Sequence, residues 1–393
     1  MDRLWEEMNF NQVIDRRGTH CTQWDYVEDR FGEKDLLPFT ISDTDFALPQ
    51  PVIHSLSERL NHGVFGYTRW NHDDFKEAVV KWYVNRFGFK VNKEWIQYSP
   101  SVIYSVSALI KMHSKKGEGV IIQTPAYDAF FKTIKANKRK LVQNPLLYKE
   151  GKYQIDFDDL EKKLSNKSNK ILLFCSPHNP TGRVWNEKEL TTLIHLCRKH
   201  NVFIISDEIH MDVIRKGLKH SPLLKFGEDQ VAIVTSGSKT FNFPGLIFSY
   251  TLIPNKYDRE MFLEQLKNQD GLSSASILGL EATITAYSEC ENWVEELNSY
   301  IDQNSDYVKK TLKLNFPELD IFESESTYLM WLDMTAYPEK MTEIQNRLRS
   351  IGKVAIMDGG VYGGNGKHFL RLNIGCPRSK LKQGIERLVS SLI

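Results

Sequence analysis

Four short, unbroken apolar runs constrain this chain most: Val120-Ile121-Ile122, Ile171-Leu172-Leu173-Phe174, Val202-Phe203-Ile204-Ile205 and Val231-Ala232-Ile233-Val234. A strand with one wet face alternates apolar and polar residues, whereas a strand covered on both faces can be apolar throughout. Runs of this length, mostly separated by helix-like polar stretches, predict an α/β domain: a mostly parallel sheet with helices on both faces. Each run ends in a polar or Pro/Gly-rich cluster, namely Thr124-Pro125-Ala126-Tyr127, Ser176-Pro177-His178-Asn179-Pro180-Thr181-Gly182, Ser206-Asp207-Glu208-Ile209-His210 and Thr235-Ser236-Gly237-Ser238-Lys239-Thr240-Phe241-Asn242. Ligands of open α/β sheets sit beyond the carboxyl ends of the strands, so these clusters are expected to converge on one crevice.

At 393 residues the chain exceeds one ordinary core. The expected division is a large α/β domain over residues 46–272 and a smaller α+β domain built from residues 1–45 and 273–393. Residues 1–45 have no clear period. Helical patterns cover about 48–62, 73–87 and 99–115, and a long one runs from about 274 to 312 with a mild break near Cys290. Residues 328–332 and 369–373 read as strands, and 342–350 and 378–393 as helices. The glycines between Asp358 and Gly366 make no dinucleotide fingerprint and are read as a mobile loop near the substrate entrance.

Composition removes several classes. The formal net charge is +1, and the 26% of charged residues are scattered without a basic stripe, so no nucleic-acid partner is expected. No apolar run approaches the roughly 20 residues that span a bilayer, so no membrane segment is expected. The start, Met1-Asp2-Arg3-Leu4-Trp5-Glu6-Glu7, is acidic and lacks the apolar core of a signal peptide, which gives the expectation of a cytoplasmic protein. The five cysteines lie far apart without a CxxC pair, so neither disulfides nor a zinc site is indicated. His195, Cys197 and His200 cluster without an acidic ligand set, and no metal is expected.

The strand-end clusters carry residues suited to one cofactor. A shielded lysine amine condenses with an aldehyde, because desolvation lowers its pKa. Lys239 between Ser238 and Thr240 fits that use, and the aldehyde that suits the surroundings is pyridoxal 5'-phosphate; the alternative is a strand-end lysine reaching solvent. Asp207 is placed to keep a pyridine nitrogen protonated, the alternative being a helix N-cap. Ser101 and Val102 at a helix start, with Ser236 and Ser238, could hold a phosphate, the alternative being ordinary capping. Tyr127 could stack on the ring or belong to the core. Arg371, between Leu370 and Leu372, is placed to take a substrate carboxylate.

Together these residues resemble the fold type I aminotransferase superfamily over nearly the whole chain. SxSK at residues 236–239, NPTG at 179–182, DExH at 207–210 and the late Arg371 stand in that family's order and spacing. FGYT at 65–68, PHNPTGRVW at 177–185 and LRLNIGCPR at 370–378 are similar to the cystathionine β-lyase branch of the MalY and PatB type. The resemblance implies pyridoxal phosphate on Lys239, which also serves as the base at the substrate Cα, with Asp207 at the ring nitrogen and Tyr127 stacked on the ring. It implies Asn179 on the ring-hydroxyl side and at the substrate, His210 where many transaminases carry tyrosine, and Arg371 on the carboxylate of an amino-acid substrate. Tyr67 would reach the cofactor phosphate of a neighbouring subunit, which implies a homodimer. The implied activity is α,β-elimination on a sulfur amino acid; transamination and a regulatory or binding role without turnover are the alternatives. Ser101 replaces the branch's usual glycine, Ile247 stands where transaminases place a phosphate-binding arginine, and Pro244 and residues 40–45 also differ from the branch pattern.

Overall fold

Burial on both faces makes the four apolar runs the middle of a seven-stranded sheet. In the computed structural model, which describes residues 9–319, 321 and 324–393, the strand order is Ile96–Ser99, Ser249–Leu252, Val231–Thr235, Phe203–Asp207, Asn169–Cys175, Gly119–Thr124 and Lys140–Pro145. The acidic start at residues 1–7 lies outside the described residues. Of the seven strands only Ser249–Leu252 runs opposite to the rest. Register sets Cys175 opposite Asp207 and Asp207 opposite Val234, so three strand ends stand level. That alignment brings the clusters after them together.

The first two strands in this order, Ile96–Ser99 and Ser249–Leu252, escape a search for apolar runs because they bury hydroxyls. Ser99 Oγ bonds Ser249 Oγ at 2.6 Å and Ser105 Oγ at 2.5 Å, which satisfies polar groups that burial would otherwise penalise. The helix Val102–His113 packs across this side of the sheet. Helices Gln50–His62 and Asp73–Phe87 end in left-handed glycines, Gly63 and Gly88, close to the expected bounds.

A second sheet orders Leu37–Phe39, Val354–Asp358, Phe369–Asn373 and Leu329–Asp333. Leu37–Phe39 pairs in parallel with Val354–Asp358, so the lead-in without a period supplies an edge strand to the chain's last part. The long helical pattern after residue 274 divides at Cys290 into Ile277–Glu289 and Glu291–Asn315. The first of these packs on helices 50–62 and 73–87, where Tyr287 stacks on Trp82 at 4.7 Å.

The glycine-rich segment, expected to be a mobile loop, forms two short turns, Gly359–Tyr362 and Gly366–His368, with close backbone approaches. A Cβ on Gly359 would stand 2.4 Å from the Gly366 carbonyl oxygen, and one on Gly364 2.8 Å from the Pro125 nitrogen. Only glycine permits these approaches. Tyr362, between Gly359 and Gly364 in the chain, is buried, and its ring centre lies 4.8 Å from the Arg371 guanidinium. Among the described residues no helix is long and apolar enough to cross a membrane.

Candidate active site

The level strand ends open into a cavity of about 460 Å³, a size suited to a small-molecule ligand. Lys239 lines it. The turn that presents this lysine is tied by its own small polar residues. Thr235 Oγ1 donates to the Glu208 carbonyl at 3.2 Å, Ser236 Oγ to the Phe248 carbonyl at 2.7 Å, and Thr240 Oγ1 to Asp212 Oδ2 at 3.0 Å. The Ser238 amide donates to Ser236 Oγ at 3.1 Å. The first three of these bonds reach residues far off in the chain, and with the local one they fix the turn's shape against its neighbours. Lys239 Nζ itself donates to the Ser42 carbonyl at 2.7 Å. Burial lowers its pKa; Asp43 opposes that shift, Arg371 reinforces it and Asp207 opposes it.

Asp207 ends its strand with a buried carboxylate that accepts the Ile209 amide at 3.1 Å. Turns follow it rather than a helix, so it is not a helix cap. Burial pushes its pKa from 3.8 up to about 7, with the Ile209 amide opposing, Glu208 adding and Lys239 opposing. A carboxyl in this position gains from a cation placed opposite it. His210 is also buried, and its Nδ1 has no partner. Burial, then Lys239 and Arg371, lower its pKa to about 3, which leaves the ring neutral.

The other end of the cavity is formed by the start of helix Val102–His113. Ser101 caps it by accepting the Tyr104 amide at 3.1 Å, so the capping alternative and a ligand-facing place coexist in one residue. First-turn amides of a helix have no intrahelical acceptor, and both Val102 and Ile103 line the cavity. Ser236 gives its hydroxyl proton to Phe248, so of the two serines before Lys239 the Ser238 hydroxyl is the one with a proton to offer a ligand. Tyr127 and Asn179 line the same space.

Arg371 stands behind Asn179, 4% exposed. Its guanidinium donates to Asn179 Oδ1 at 3.4 Å and to the Thr40 carbonyl at 2.7 Å, and it lies 4.8 Å from the Tyr362 ring centre. Among the described residues it forms no ion pair, and its Nε has no partner. A buried guanidinium without a carboxylate is suited to receive one from a ligand.

Of the residues singled out in the sequence, Ser101, Val102, Tyr127, Asn179, Asp207, His210, Ser236, Ser238 and Lys239 line one cavity, and Arg371 touches it through Asn179. Tyr67 does not join them within this chain; it is fully exposed. Residues that sequence reasoning did not assign are Ser42, whose carbonyl accepts from Lys239, and Tyr328, whose hydroxyl donates to the same carbonyl at 3.0 Å. A backbone acceptor leaves no signal in residue type, although residues 40–45 stand out as a departure from the branch pattern. Among the described residues no three His, Cys, Asp or Glu side chains are grouped to hold a metal ion.

The donor set fits pyridoxal phosphate: amides and a hydroxyl for an anionic group, a buried carboxyl for a ring cation, an amine for an aldehyde, and an unpaired guanidinium for an amino acid's carboxylate. The profile of the aminotransferase class I and II family matches residues 34–388. The chain is 45% identical over 384 residues to the protein MalY of Escherichia coli strain K12, covering 98% of each chain. It is 38% identical over 388 residues to the cystathionine beta-lyase PatB of Bacillus subtilis strain 168, covering 98% of this chain and 100% of that one. The crystal structure of cystalysin from Treponema denticola, which contains a pyridoxal 5'-phosphate cofactor, superposes with a TM-score of 0.92 at 33% identity, covering 98% of both chains.

Proposed function

Because the chain belongs to the aminotransferase class I and II family, within its MalY- and PatB-like C–S lyase group, we propose that it is a pyridoxal-phosphate-dependent β-lyase of sulfur amino acids such as cystathionine. The observation that carries this reading is the meeting of the Lys239 amine, the Asp207 carboxyl and the helix-start amides of Val102 and Ile103 in one cavity, with Arg371 at its edge. The net reaction takes up water and turns the amino acid into a thiol, pyruvate and ammonia.

Bound there, pyridoxal phosphate supplies an electron sink for negative charge at the substrate Cα. The chain's residues do the rest. Val102, Ile103 and Ser238 hold the phosphate, and Asp207 holds the proton of the ring nitrogen. Arg371 orients the substrate by its carboxylate, and Asn179, bonded to Arg371, ties that end to the ring-hydroxyl side. Lys239 takes the proton from Cα, a task that a lowered pKa favours. Tyr127 covers the ring against water.

A second copy of the chain completes the phosphate end with Tyr67. The exposed neighbours Val64 and Phe65, and Ile247 at the cavity wall, are apolar and support such a contact. Transamination would use the same residues. The discriminating experiment incubates purified protein with cystathionine and no keto acid. Release of pyruvate and homocysteine in equal amounts is expected, whereas turnover that strictly requires a keto acid acceptor would establish the transaminase.

A further inference from the structure

The backbone of residues 40–46 passes the cavity, which it lines at Ser42, without belonging to a helix or a sheet, and side chains take up its polar groups almost residue by residue. Two asparagines hold it from opposite sides. Asn242, three residues after Lys239, accepts the Thr44 amide at 3.0 Å and donates to the Thr44 and Phe46 carbonyls at 2.9 and 2.8 Å. Its φ of 60° is a conformation that asparagine tolerates better than most residues. Asn373, two residues after Arg371 on the same strand, donates to the Ile41 and Asp43 carbonyls at 2.5 and 2.7 Å and accepts the Gly375 amide at 2.8 Å. The Asp45 amide donates to the Gly375 carbonyl at 2.8 Å.

Held this way, the segment turns two carbonyls toward the functional cations. Ser42 faces Lys239 and Thr40 faces Arg371. The lysine turn and the arginine strand belong to different sheets, and the segment between them is gripped by one amide from each. We propose that Asn242 and Asn373 are positioning residues that hold residues 40–46 as a strap fixing the separation between Lys239 and Arg371, and through it the recognition of an amino acid by its amine and carboxylate together.

This inference rests on the reading that Arg371 receives the substrate carboxylate, but not on elimination as the outcome. Gln23 and Arg16 also hold the strap, Gln23 by accepting the Thr40 and Ile41 amides and Arg16 by donating to the Thr44 carbonyl. Loss of one asparagine therefore loosens the strap without unfolding the chain.

The test uses holoenzyme carrying Asn242→Ala, Asn373→Ala or both, with L-alanine as a ligand that has an amine and a carboxylate but no leaving group. Its dissociation constant is read from the absorbance of the bound cofactor, and amide hydrogen exchange is followed over residues 40–46 and over Val231–Thr235. In each single variant we expect L-alanine to bind at least about fivefold more weakly and strap exchange to quicken about tenfold, with exchange of the central strand unchanged. The double variant should weaken binding by less than the product of the two single effects, because both grips act on one strap. Unchanged binding alongside faster strap exchange would overturn the proposal, as would faster exchange of Val231–Thr235 in step with the strap, which marks a general loss of stability. A wild-type protein that binds L-alanine but does not eliminate would defeat the lyase reading and leave this comparison intact.

Discussion

Lys239→Ala is expected to lose at least about a thousandfold of its pyruvate-releasing rate with cystathionine, because one side chain supplies both the anchoring amine and the base at Cα. The fold should survive. The turn around position 239 is held by Ser236, Ser238 and Thr240, and none of their bonds passes through the lysine. The only hydrogen bond lost among the described residues is the one to the Ser42 carbonyl, which keeps its second donor in Tyr328. Rates measured as lactate-dehydrogenase-coupled pyruvate release, beside a melting curve, separate chemistry from folding. A variant with wild-type melting and a rate within tenfold of wild type would remove Lys239 from the chemistry.

Asp207→Asn should lose function while gaining stability. Its carboxyl has a folded pKa of about 7 against 3.8 for the ordinary group, chiefly through burial. Between those values the folded chain holds a proton that the unfolded chain releases. The resulting cost to folding is absent below about pH 4, grows through the window from 4 to 7 and is complete above it. A shift of this size corresponds to something on the order of 4 kcal/mol. In cofactor-free protein the asparagine variant, neutral at every pH, is therefore expected to melt higher than wild type at pH 8 and at the same temperature at pH 4. In holoenzyme it should lose activity by at least about a hundredfold, since a neutral amide does not hold the ring nitrogen's proton. Melting curves of both proteins at the two pH values check the sign. An asparagine variant that melts lower at pH 8 would mean that Asp207 stabilises the fold and was not placed there for a ligand.

Sequence made the middle of the large sheet and its ligand end legible for one physical reason. Strands buried on both faces must be apolar, and the polar residues displaced from them collect where the strands end. Lys239 and Asp207 could be read from their place after such runs, and Asn179 from the resemblance that its NPTG motif carries. Arg371 could be read because a guanidinium between leucines needs a partner. The strands Ile96–Ser99 and Ser249–Leu252 were not legible, since Ser99 and Ser249 satisfy each other inside the protein and so break the apolar pattern. Residues 40–46 were legible only as an oddity, because their bonds go to Asn242, Asn373 and Gln23, far away in the chain or across a turn, and no period records such contacts. Glycine content suggested mobility at residues 358–366, where close backbone approach is what the glycines permit. The two serines before Lys239 look alike in sequence and differ in structure, where one is spent on the Phe248 carbonyl.

On the proposed function, this cavity is a pyridoxal phosphate site anchored at Lys239. The most direct measurement reduces the cofactor-loaded protein with borohydride and maps the modified peptide by mass spectrometry. A pyridoxyl group is expected on Lys239 alone, at about one per chain. Modification of a different lysine, or none in protein that has been loaded with the cofactor, would contradict it.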